Sequence, residues 1–134
     1  MTDPNRYIRD AVIDALRTGG YNAYGQNPPA SAVTPYAIVS VSYEQRPVKL
    51  VKFYTVTIAI DLYHEFREAG GRKQLDEMTD FIFTTLIPNN NTYLSVSGFQ
   101  HVNCRLASSN ESMVTNESIT TYIKNLRFTS LITE

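Results

Sequence analysis

The sequence is short of the groups that most protein chemistry needs. It has a single cysteine, Cys104, so an internal disulfide is excluded. It has no excess charge of either sign: the formal net charge is −1 and the pI about 6.1, which gives no bulk attraction to nucleic acid or to an anionic membrane. No apolar run approaches the roughly 20 residues of a membrane span, and the opening "MTDPNRYIRD" lacks the apolar stretch of a secretory signal. Synthesis in the cytosol is therefore expected. Internal repeats and low-complexity tracts are missing too. What remains is 134 residues, 43% of them hydrophobic, enough to bury one core and too few for two. Residues 1–134 are expected to form one domain.

The chain begins with a helix signal. Asp3 can cap, and Pro4 loses nothing in a first turn. Tyr7, Ile8, Ala11, Val12, Ala15 and Leu16 then recur at three- and four-residue steps until Gly19-Gly20. The proline-rich "GQNPPASAVTP" reads as a loop that leads into the alternating strand Tyr36–Tyr43. A second strand follows "EQRPVK", with Tyr54, Val56, Ile58, Ile60 and Leu62 on one face and Phe53, Thr55, Thr57, Ala59 and Asp61 on the other. Leu75, Met78, Ile82 and Leu86 form the stripe of a second helix that starts near Gly71 and is closed by Pro88. The remainder reads as one or two strands through "FQHVNCRL", a Ser/Asn-rich turn, and a terminal strand with a phase change near Lys124-Asn125 that suggests a bulge.

This pattern predicts an α+β domain in the order α-β-β-α-β-β. It would be an antiparallel sheet of about four or five strands, with two helices packed on one face and a long extended hairpin. The expected core is Val12, Leu16, Ile58, Ile60, Leu62, Leu75, Met78 and Ile82. The run Leu50–Tyr63 would span about 46 Å if straight, whereas a compact chain of this length is roughly 36 Å across. Surplus strand of that kind calls for a partner, most simply a second copy in a ring or tube.

Candidate chemistry is thin. "DLYHEF" brings Asp61, His64 and Glu65 together in sequence, but a strand sends His64 to the face opposite the carboxylates, and Glu68 stands where a helical zinc motif needs histidine. A solvated strand end is the simpler reading. His101 has no cysteine or carboxylate at ligand spacing and reads as a sheet-surface residue, while Cys104 reads as a small buried thiol. "AGGRK" could offer N–H groups and cations to a phosphate, yet it lacks the rest of a nucleotide loop. The acceptor triplets at Asn90, Asn110 and Asn116 read as polar turns. Arg46, Lys49 and Lys52 crowd the hairpin turn beside Phe53, where a basic tip could touch an acidic neighbour. No catalytic, metal-binding or cofactor-binding residue is assigned, and no cofactor is expected. A pocket gathering Asp61, His101 and Glu65 would revive an enzyme reading.

Taken together, "DPNRYIRDAVIDALRTGG", "TPYAIVSVSY", "VTIAIDLYHEF", "GGRKQLDEMTDFIFTTL" and "TTYIKNLRFTSLIT" resemble, in order and apolar pattern, the tail terminator (tail completion) proteins of long-tailed bacteriophages. The resemblance runs from about Asp3 to Thr133. It implies a non-enzymatic virion protein of the tail-neck region, assembled in the host cytoplasm. Such a protein forms a ring, commonly a hexamer, that caps the head-proximal end of the tail tube, stops its polymerisation and offers the head a joining surface. The implied partners are further copies of the chain, the tube protein and the head-tail connector or neck proteins. No membrane is involved, and DNA passes through the lumen without specific recognition. The alternative is a head-closure or neck adaptor.

Overall fold

A computed structural model describes residues 3–46, 53–66, 72–89 and 93–133. Helix α1 spans Pro4–Thr18, its first turn closed by the Asp3 carboxylate, which accepts from the Asn5 N–H at 3.0 Å. Gly19 ends it, its N–H returned to the Ala15 carbonyl. Strand β1 (Asn22–Tyr24), strand β2 (Tyr36–Arg46) and strand β3 (Phe53–Phe66) follow; then come helix α2 (Arg72–Leu86), strand β4 (Gln100–Asn116) and strand β5 (Ile119–Thr133). A small bridge between Val96 and Phe99 precedes β4.

The five strands lie side by side in the order β1-β2-β3-β5-β4. The sheet is mixed, because β1 runs parallel to β2 while every other pairing is antiparallel. The element order is therefore α-β-β-β-α-β-β, and the expected all-antiparallel sheet in the order α-β-β-α-β-β is overturned. The cause is local. Arg17 reaches back from α1 and donates to the Ala23 carbonyl through Nε and Nη2, at 3.1 and 2.8 Å, while the Asn22 amide donates to the Val33 carbonyl at 3.0 Å. Those side-chain bonds hold a three-residue strand that no alternation announces.

The longest hairpin is also not the expected one. Strands β4 and β5 pair from Gln100 with Thr133 down to Asn116 with Ile119, joined by the two-residue turn Glu117-Ser118, where Glu117 takes φ 57°. The Ser/Asn-rich stretch read as a turn is thus strand, with Asn110 inside β4 and Asn116 at its end. Nor does β5 bulge at Lys124: it runs unbroken, and the register shifts fall in β4, between His101 and Asn103 and between Leu106 and Ser108. Lys124 keeps the phase of the buried residues because Glu111 meets its ammonium at 3.2 Å.

One core joins both helices to the sheet. It includes Ile8, Val12 and Leu16 of α1, Leu75, Met78 and Ile82 of α2, Tyr54 through Leu62 at alternate positions of β3, and Leu126, Phe128 and Ile132 of β5. All eight residues named above for the core lie within it.

Candidate assembly surface

Strand alternation gives the sheet two unlike faces. The covered face carries the core. The opposite face carries Tyr36, Ile38, Ser40, Ser42 and Glu44 of β2, Thr55, Thr57, Ala59, Asp61, Tyr63 and Glu65 of β3, and their partners on β5 and β4. All of these are half-buried or exposed, and most are small and polar. At one end Tyr24, Tyr36 and Tyr63 form a ladder, with ring centroids 6.0 and 5.5 Å apart. Burial there pushes the Tyr36 phenol up from its ordinary value, assisted by Tyr63, Glu65 and Tyr24. Midway, Arg127 donates to Asp61 at 2.8 Å. Asp61 is therefore a paired carboxylate; of "DLYHEF", Glu65 is exposed as a solvated strand end would have it, whereas His64 on the other face is buried.

The sheet keeps the candidate catalytic residues apart. Asp61 and Glu65 project from the open face, whereas His101 stands opposite Ile132 on the covered side. His101 is no free surface residue: Ser130 Oγ lies 3.0 Å from its Nδ1, the Tyr93 ring stacks at 6.2 Å, and burial lowers its pKa. Ser130 also donates to the Asn103 carbonyl at 2.7 Å. At 1% exposure its hydroxyl is out of any substrate's reach, so the pair ties β4 to β5. Cys104 is buried, and that burial pushes its thiol up to about 11, which leaves no thiolate for chemistry. Among the described residues no group of three or more metal-ligating side chains occurs, and no helix is long and apolar enough to cross a membrane.

The segment "AGGRK", which lacks the rest of a nucleotide loop, is only partly in view. Gly70 and Gly71 lie outside the described residues; Arg72 is paired with Glu111 at 2.6 Å and Asp76 at 3.6 Å. Together with Lys124 this network clamps the start of α2 to the β4–β5 ribbon. Of the basic tip, Lys49 and Lys52 also lie outside the described residues. Arg46 ends β2 opposite Phe53, which begins β3 half-buried.

Sequence reasoning missed the edges of the sheet. On one side β1 pairs only with Tyr36–Ile38, so among the described residues no strand covers Val39–Arg46 of β2. On the other side, among the described residues, no further strand pairs with β4. Residues 105–118 are exposed on both faces, including Leu106 at 40%, Met113 at 58% and Val114 at 54%. Only the lack of glycine and proline in "SSNESMV" spoke for a strand there, against serines and an asparagine that favour turns.

No protein-family model and no curated protein sequence matches the chain. Among solved structures, it is similar to a chain of the "Virion of native gene transfer agent (GTA) particle", with a TM-score of 0.72 and 14% sequence identity. The match covers 96% of each chain, so the likeness is one of the whole fold.

Proposed function

We propose that this chain is a structural protein of a phage-like virion and, more specifically, a tail terminator: a ring, commonly of six copies, seated on the head-proximal end of the tail tube. The observation that carries the reading is the end-to-end fold likeness to a chain of a gene transfer agent virion. The surface agrees with it. Among the described residues the sheet has two open edges and a broad face of small polar side chains.

No bond is made or broken in this role. The ring buries the growing surface of the last tube subunits and binds that end more favourably than another tube subunit does. Its far side meets the connector. DNA would cross the lumen unread, and the open sheet face suits such a lining. Among its described side chains the cations Arg105 and Arg127 are offset by Glu44, Asp61 and Glu65, and Arg127 is already engaged by Asp61.

The test is a phage or particle lacking the gene. Filled heads without tails, together with tails of irregular and often excessive length, are expected, and purified protein should bind tubes at one end only. Tails of normal uniform length would exclude termination and favour a head-closure or neck adaptor. Binding along the whole tube would point to a decorating protein.

A further inference from the structure

The two open edges of the sheet match in a way that one copy cannot use. Strand β2 is antiparallel to β3, β3 to β5, and β5 to β4, so β2 and β4 run in opposite directions at opposite sides. A neighbouring copy set beside β4 in the same orientation brings its β2 antiparallel to that strand, and the alternation continues across the boundary. The lengths agree as well. After its second register shift β4 offers the regular stretch Ser108–Asn116, and β2 offers Val39–Arg46. Neither stretch contains a proline or a lysine, residues that commonly guard exposed edges.

We propose that copies of this chain join edge to edge, Ser108–Asn116 of one lying antiparallel to Val39–Arg46 of the next, to form one continuous closed sheet. This rests on the ring-forming reading above and names its interface. Within a copy, Ser108 is level with Arg127, Ala59 and Ser40, so the two open stretches are displaced along the strand direction. Joining them requires a stagger, and stagger is what a sheet must accumulate to close into a barrel. The faces also agree. Met113 stands opposite Tyr122 on the covered side, so in the joint it must face an odd-numbered residue of β2, such as Val41 or Tyr43. Both pack at the margin of the core, and the neighbour would cover a methionine that is exposed in the single copy. The contact is head-to-tail and closes only as a ring.

Proline scanning of each edge tests this. Successive residues of a strand point their N–H groups to opposite sides, so of Ser109→Pro and Asn110→Pro in β4, and of Glu44→Pro and Gln45→Pro in β2, one of each pair spares the chain's own ladder. Circular dichroism and urea titration identify the folded member. Light scattering of the parent should show assemblies larger than a dimer, and each folded single-edge variant should lose association at least about a hundredfold. An equimolar mixture of the two variants should form a heterodimer and nothing larger, since each supplies the edge the other lacks. The proposal is overturned by a parent that stays monomeric to millimolar concentration, or by folded variants that assemble like the parent. It is equally overturned by a β2-blocked variant that dimerises alone, which would indicate a two-fold β4–β4 contact. Rings that survive both blocks refute this interface and leave termination standing, because termination is judged by tail length.

Discussion

Strands β3 and β4 are adjacent to the same strand, β5, and differ in everything except backbone. In β3 every second side chain from Tyr54 to Leu62 is fully buried beneath the helices, so packing fixes its register: a one-residue slip would turn five large side chains to the outside. In β4, beyond Cys104, side chains are exposed on both faces, and the strand is held by its ladder to β5 and by the Arg72–Glu111–Lys124 clamp. The step is abrupt. Phe128 of β5 is buried against Phe83, with ring centroids 5.9 Å apart, while Leu106 directly opposite it on β4 is substantially exposed. The covered side of the sheet holds the fold together, and the bare side is free to be completed by something else.

The largest effect should come from breaking the covered side. Ile60→Asp would bury an unpaired carboxylate between the helices, and a loss above about 4 kcal/mol, enough to abolish cooperative folding, is expected. A variant as soluble and as urea-resistant as the parent would refute the placement of Ile60. Phe128→Ala comes next, at about 3–5 kcal/mol, through the cavity left beneath Phe83. Denaturant titration measures it. If Phe128→Ala and Leu106→Ala cost the same, the contrast between neighbouring strands collapses.

That contrast also explains what could be read from the sequence. The helices and β3 were legible because burial leaves an imprint: Leu75, Met78 and Ile82 recur with the period of a helix, and Val56, Ile58 and Ile60 with that of a strand. Strand β4 has no buried face beyond Cys104, so selection for a core imposes no alternation on "SSNESMVTN", and polarity alone imitates a turn. Strand β1 was hidden for a different reason, since Arg17 and Asn22 hold it with side-chain bonds that carry no periodicity. Lys124 misled by its chemistry: a charged residue in a buried phase suggests a break until its carboxylate partner is seen. The candidate assembly edges share this obscurity, because an edge is defined by what fails to pair with it.

A smaller effect marks the boundary between the two regions. Burial lowers the pKa of His101, so the folded protein holds the imidazole neutral at pH values where the unfolded chain already binds a proton. Above the ordinary value of 6.5 the ring is neutral in both states and its contribution is constant. As pH falls from 6.5 towards the lower folded value, the unfolded state takes up more protons and stability declines. Urea midpoints measured between about pH 7 and pH 5 should therefore fall in the parent and change less in His101→Gln, whose amide can still bond Ser130. An identical slope in both proteins would show that the ring titrates freely.

The smallest effect on the single copy should come from the exposed far part of β4. Met113→Ser removes a side chain that contacts solvent over more than half its surface, so the unfolding free energy of the monomer should move by no more than about 0.5 kcal/mol. The same substitution removes the apolar group proposed to pack against the neighbour's β2. Association measured by light scattering should therefore weaken while urea stability, taken at a dilution where only monomer exists, stays put. Leu131→Ser is the control, a half-buried position of β5 on the open face and away from the β4 edge, and it should leave association unchanged. A Met113→Ser protein that loses monomer stability would mean that the ribbon packs within its own chain. One that keeps both stability and assembly would mean that the methionine faces solvent in the ring as well, and the register that sets it against Val41 or Tyr43 would be wrong.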